Sequence, residues 1–454
     1  MKRILARRAL LPTGWAEDVL LTVRDGEIVE VSVRVPSPPA ADLTAGVVIP
    51  GLTNAHSHAF QRALAGRTEH RSDADRDSFW TWRERMYELT GRLDPGSLTA
   101  IARQAYAEML AAGYTSVAEF HYLFRDPAGR DDADAMFGAV RRAAADSGIR
   151  LIYVPVFYER AGFDDDAPEA RQRRFTMDVE RFLAHQERAA GSASGRVSVG
   201  IGAHSLRAVS ESSLRRVAAR AAASGAPLHV HIAEQRREVE DCLGATGSRP
   251  VRWLLDRFDV GEPWCLVHAT HVDEAETRDL AASGAVVCLC PSTEGNLGDG
   301  LFPLERFLPA GGRIAIGSDS QVTINPFEEL RWLEYGQRLR SESRNVASVE
   351  DPHVGRELFR RVLAGGAQAA GAPRFGLAPG APADLVVLDA EDPMLAGHGR
   401  ATLLDALLFS GYRVPIERVM VHGEWKVAGG RHVDRTRTAR DFAAALARLG
   451  MESS

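Results

Sequence analysis

Eight short apolar runs recur through the middle of this chain, separated by alanine- and arginine-rich stretches of helical character. The runs are AGVVIPGLTNAHSH, GYTSVAEFHYL, IRLIYVPVFYER, VSVGIGAHSL, APLHVHIAEQ, WCLVHATHV, AVVCLCPST and GRIAIGSDS. Between them lie segments such as LTAIARQAYAEMLAAG and SLRRVAARAAASG. Strand and helix alternating in this way predict a parallel α/β architecture, a TIM-like (β/α)8 barrel. A doubly wound open sheet is the structural competitor. It is weakened because no glycine-rich nucleotide loop follows any of the strands. In such barrels the functional side chains gather at the C-terminal ends of the strands.

The two ends of the chain have a different texture. Residues 1–46 read as short strands, with a DG turn at Asp25 and Gly26, and then the connector PSPPAADLTA. Similar β-rich runs, ADLVVLDAED and RVMVHGEWKVAGGRHV, return near the other end. With 454 residues the chain exceeds one ordinary core. The expected organisation is a small β-sandwich domain from 1–46 plus 378–434, the barrel over 47–377, and a closing helix and tail over 435–454.

Polar residues cluster at four of the strand ends. The first offers His56 and His58, which share a face because alternate residues of a strand do. The fifth offers His229, His231 and Glu234, the sixth His268 and His271, and the eighth Asp319. Any one of these alone reads as a hydrogen-bonded core residue or a turn. Four strand ends at one rim, all offering nitrogen or carboxylate, point to a metal. Three histidines and a carboxylate with an open position suit Zn²⁺ or Fe²⁺ holding a water. Glu234, three residues past His231, is placed to shuttle protons. The lysines are Lys2 and Lys426. None lies between His58 and Asp319, so a lysine-bridged pair of ions is excluded and one ion per chain is expected.

A formal net charge of −6 argues against nucleic acid as a partner. Cys242, Cys265, Cys288 and Cys290 form no CxxC pair and suit buried thiols in a reducing compartment. The N-terminal MKRILARRALL lacks an uninterrupted signal-peptide core, and no run is long enough to span a bilayer. The expectation is a cytoplasmic protein without membrane contact.

With PGLTNAHSHAF, HVHIAE, VHATH and GSDS on one chain, the sequence resembles the amidohydrolase superfamily, in its mononuclear deaminase branch, over essentially its whole length. The resemblance implies that His56, His58, His231 and Asp319 ligate one divalent ion, Zn²⁺ ahead of Fe²⁺. It implies Glu234 as the acid and base, and His268 as hydrogen-bond partner of the attacking water and the tetrahedral centre. Asp319 shares in catalysis as well as ligation. His229 and His271 take no such role and are expected in barrel packing or behind the ligands.

The stretches HAFQRALAGRTEHR, FWTWRERMYE, AEFHYLF with GAHSLRAV, and CPSTEGNLGDGLF narrow the resemblance further. It implies hydrolytic deimination of N-formimino-L-glutamate to N-formyl-L-glutamate and ammonia, with Gln61, Arg83, Tyr122, His204 and Arg207 touching this small dicarboxylate. Guanidinium forks match carboxylates, which suits Arg83 and Arg207. Phe79, Trp82, Met86 and Leu89 recur at helical spacing, so Arg83 also reads as a solvated helix residue. Glu119 and His121 alternate on the second strand and are expected in the barrel interior. Tyr122 would then reach the site only if that strand has ended. PSTEGNLGDG reads as a polar loop without assigned chemistry. A deaminase of a nucleobase, nucleoside or other cyclic amidine remains the alternative, and an inactive binding homologue a third reading. A homodimer is expected.

Overall fold

The computed structural model describes residues 1–35, 40–72, 77–163, 167–411 and 413–451. The first four residues of the connector and the last three of the expected C-terminal tail lie outside them.

The eight runs form the strands Leu52–Ser57, Tyr114–His121, Arg150–Phe157, Ile201–Ser205, Leu228–Ile232, Trp264–His268, Val286–Leu289 and Arg313–Ile316. Each pairs in parallel with the next. A short strand, Val197–Val199, joins the third from outside this path. Helices occupy the connections and cover the outside, which is why the strands are apolar on both faces. Local signals set the helix ends. The helix Pro95–Ala112 begins on an Asp94 cap with proline at its first position and ends at Gly113, whose φ of 101° suits glycine. The helix Phe79–Thr90 begins on a Ser78 capping box.

The last residue of the first strand meets the chain just beyond the eighth, through a parallel bridge between Ser57 and Asp319. The His58 N–H donates to Asp319 O at 3.0 Å, and the Asp319 N–H donates to His56 O at 3.1 Å. The barrel therefore closes through its histidine and aspartate residues. Gly317 makes that approach possible. A Cβ there would stand 2.7 Å from both the Cβ and the carbonyl oxygen of His56.

Side-chain parity on the second strand differs from expectation. Phe120 faces inward, its ring centroid 4.5 Å from His231 and 4.9 Å from His56. Glu119 and His121 face the layer behind the strand. Glu119 accepts from Ser57 Oγ at 2.7 Å, and His121 packs on Tyr153 and Phe124. The strand is buried along its whole length, so polarity could not mark its inner face. Tyr122 follows the end of the strand and shares Phe120's direction.

The strands Lys2–Leu11, Gly14–Arg24, Glu27–Ser32 and Leu43–Pro50 join Leu385–Leu388, Ile416–Val421, Glu424–Ala428 and Arg431–His432 in one hydrogen-bonded sheet. Leu43–Ala45 of the expected connector thus belong to a strand. That strand pairs with Lys2–Leu11 on one side and Leu385–Leu388 on the other, uniting both ends of the chain. The sheet folds back where Ile28 N–H donates to Ala381 O at 2.9 Å. It encloses its own apolar cluster, including Ile4, Val19, Leu21, Val48, Leu385 and Met420. Val386, Leu388, Val419 and Val421 point the other way, into the core shared with the barrel. The closing helix Arg435–Arg448 lies on Pro95–Ala112, where Arg103 pairs with Asp146 at 2.9 Å and Asp441 at 2.5 Å. Among the described residues, no helix is long and apolar enough to cross a membrane.

Candidate active site

His56 and His58 project from the first strand to the same point as His231 from the fifth. His56 Nε2 stands 3.2 Å from His58 Nε2 and 2.9 Å from His231 Nε2. Asp319 Oδ1 lies 3.5 Å from His56 Nε2 and 3.3 Å from His58 Nε2. Donor atoms about 2.0–2.2 Å from one tetrahedral ion are themselves roughly 3.4 Å apart, so this spacing fits a shared cation. Protonation states fit as well. The His58 Nδ1–H donates to Phe120 O at 2.9 Å, leaving the Nε2 lone pair for the ion. Burial disfavours imidazolium here: His56 is pulled down to about 3, and His58 and His231 are lowered too. Burial also opposes the Asp319 carboxylate, but the His56 hydrogen bond and the positive charge of His268 hold it ionised, well below the usual range. Neutral imidazoles around a carboxylate are a donor set for a divalent cation. His56, His58 and His231 form one group able to hold a metal ion, and His56, His268 and Asp319 a second that overlaps it.

Glu234 follows the fifth strand at a left-handed kink, Ala233 having φ 50°. Glu238, in the first turn of the next helix, accepts from the backbone N–H of Ala233 at 3.2 Å and of Glu234 at 3.1 Å. This fixes the kink and turns the Glu234 side chain toward the ligands. Burial raises the Glu234 carboxyl, against the pull of His268 and Arg207. His268 reaches the same point from the sixth strand, its Nε2 3.8 Å from Asp319 Oδ2. Burial opposes its positive charge, yet Glu234, Glu294 and Asp319 lift it to about 10. A carboxyl held high beside a protonated imidazole is suited to moving protons.

A pocket opens over these groups and is lined by Gln61, Arg83, Tyr122, His204 and Arg207. Gln61 Nε2 donates to Tyr122 Oη at 3.3 Å. The His204 ring lies 5.1 Å from His231 and 4.7 Å from Tyr158. Arg207 is buried, and Arg83, on the helix Phe79–Thr90, is half-buried rather than solvated. Among the described residues, neither guanidinium has a carboxylate within salt-bridge distance, and both Nε atoms are buried without a partner. Arg83 lies over the Trp80 ring at 4.5 Å. Burial and the nearby Arg207 lower the Arg83 guanidinium, a pairing of like charges that a bound anion would relieve.

His229 and His271 stand apart from this constellation. His229 Nε2 donates to Ala369 O at 2.8 Å in the helix layer, and His271 lines a separate cleft with Arg236 and Arg249. Sequence reasoning passed over Tyr158, Tyr87, Glu238 and Glu294. The expected polar loop PSTEGNLGDG is in part the helix Pro291–Leu297, with proline at its first position. That helix brings Glu294 Oε1 to 3.2 Å from His268 Nδ1.

The model of the Amidohydrolase family matches residues 47–426, and that of the formimidoylglutamate deiminase HutF N-terminal domain matches residues 1–42. A formimidoylglutamate deiminase of Pseudomonas aeruginosa is 48% identical, covering 99% of this chain and 100% of its own. An 8-oxoguanine deaminase of the same species is 30% identical, covering 94% of this chain and 92% of its own. The crystal structure of an amidohydrolase from Brucella melitensis superposes with a TM-score of 0.94 at 43% identity, covering 99% of this chain and 100% of that one. Matched through barrel and terminal sheet alike, this chain belongs to the amidohydrolase family.

Proposed function

We propose that the protein hydrolyses N-formimino-L-glutamate to N-formyl-L-glutamate and ammonia. In this proposal His56, His58, His231 and Asp319 hold one divalent ion, Zn²⁺ ahead of Fe²⁺. The observation that carries the substrate class is the pair of guanidiniums, Arg83 and Arg207, sharing one pocket with the proposed ligands, their Nε atoms buried without a hydrogen-bond partner among the described residues. The substrate carries two carboxylates, while a neutral nucleobase carries none. The similarity to the Pseudomonas aeruginosa formimidoylglutamate deiminase supports the same choice.

When bound, the ion lowers the pKa of a water toward about 7 and so supplies a nucleophile at neutral pH. Arg207 and Arg83 grip the substrate's carboxylates and place its formimino carbon at the depth of Glu234. As water adds to that carbon, Glu234 takes its proton. The same carboxyl delivers that proton to the terminal nitrogen, then takes the proton of the adduct's hydroxyl and passes it to the same nitrogen, so that the C–N bond breaks as ammonia leaves and the formyl C=O forms. His268 presents its imidazole to the tetrahedral centre from the side of Asp319. Gln61, Tyr122 and His204 surround the amidine and fix its orientation.

The test is ammonia release from N-formimino-L-glutamate against a panel of nucleobases and nucleosides. Turnover of formiminoglutamate is expected. Silence toward it, with deamination of a neutral base, would leave the metal site standing and overturn the dicarboxylate pocket.

A further inference from the structure

Glu294 has no part in the reaction described above, yet its carboxylate is buried against a residue that does. It accepts the Cys290 N–H at 2.9 Å and faces His268 Nδ1 at 3.2 Å through the same oxygen, Oε1. His268 is buried and sits in a left-handed backbone, φ 71°, as does Ala269 at φ 49°. Non-glycine residues seldom adopt that conformation. Backbone bonds hold the turn, with Ala269 N–H donating to Ile232 O at 3.0 Å and His271 N–H to Ala233 O at 3.0 Å. These bonds fix the backbone but not the plane of the imidazole, which is set by its own side-chain contacts, including the His231 ring stacked at 5.5 Å. The ring spans the space between Glu294 at Nδ1 and Asp319 at Nε2.

We infer that Glu294 is a positioning residue: by accepting from His268 Nδ1–H it fixes the plane of the imidazole and aims Nε2 at the reacting centre. This rests on the role given to His268 in the proposed deimination. The competing account is that Glu294 serves its own short helix, through Cys290, and affects His268 only by holding the fold together.

A double-mutant cycle separates the two. kcat and KM for N-formimino-L-glutamate are measured on metal-saturated protein with verified metal content. In the otherwise native enzyme, Glu294→Ala is expected to lower kcat on the order of 10²-fold, the scale of a misplaced hydrogen-bond donor to the tetrahedral centre, with KM changed by less than about threefold. Glu294→Gln keeps an oxygen able to accept from both donors and is expected to recover kcat to within about tenfold of native. In a His268→Gln background, where the imidazole is absent, Glu294→Ala is expected to change kcat by less than about twofold. Glu294→Asp keeps the charge but draws it back by one methylene, so it serves the same comparison should the alanine variant fail to fold.

Losses that multiply in the His268→Gln background overturn the inference, as does native kcat in Glu294→Ala or Glu294→Asp. A native enzyme inert toward N-formimino-L-glutamate faults the substrate assignment alone. The same cycle, run on the nucleobase that enzyme deaminates, then decides Glu294.

Discussion

Arg207 and Arg83 are where the substrate assignment can be broken one side chain at a time. Truncating one partner of a buried charge pair costs about 2–5 kcal/mol. Arg207→Ala should therefore lower kcat/KM for N-formimino-L-glutamate well over tenfold, with bound metal unchanged by elemental analysis. Arg83 is less buried and its loss should be smaller. Lysine at position 207 should rescue poorly, since an ammonium cannot form the planar fork. Glu234→Gln should keep metal and fold but lose about 10²–10⁴-fold in turnover. A variant that fails by losing its metal would contradict the shuttle role. At this scale the sequence was legible where local rules apply. Strand alternation predicted that His56 and His58 would converge, and they do, although the strand ends at Ser57 and His58 opens the turn that follows it. Glu119 and His121 were misplaced because their strand is buried on both sides, leaving no polar face to set its parity.

Elements carry what single residues do not reveal. The eight barrel strands were readable as apolar runs, whereas their closure was not, because it uses residues beyond the eighth strand. A chain of buried side chains reinforces it. Asn54 Nδ2 donates to Ser318 Oγ at 2.6 Å, Ser318 Oγ to Gln321 Oε1 at 2.8 Å, and Gln321 Nε2 to Ser57 Oγ at 3.0 Å. Ser57 in turn meets Glu119, whose carboxyl is pushed by burial up to about 7. Gly317 sits at the tightest point. Gly317→Ala should cost about 1–3 kcal/mol of stability, the range for overpacking a filled site, and should also weaken metal retention. Thermal denaturation and metal content after dialysis check the two effects. The helix Pro291–Leu297 was hidden for a different reason. Seven residues rich in serine, threonine, asparagine and glycine read as a loop, and tertiary contacts decide otherwise.

For the whole molecule, the sequence's shortage of lysine bears on stoichiometry. Elemental analysis of purified protein should saturate near one ion per chain, and two tightly held ions both required for turnover would refute the single-ion reading. Stability should follow the ion as well, by about 2.7 kcal/mol at a hundredfold excess over its dissociation constant, if the unfolded chain does not bind it. The seam between the first and eighth strands joins residues as far as 264 positions apart, as Asn54 and Ser318 are. Such a contact forms only after the intervening chain has been drawn in, and it belongs to the slow, non-local part of folding. On a ribosome, His56 and His58 emerge long before Asp319, so the ligand set stays incomplete until the barrel is nearly whole. Ion capture is then a terminal event of biogenesis. In refolding experiments, ion present from the start should be taken up at the slow rate of the final closure, whereas ion added after refolding is complete should bind without that slow phase.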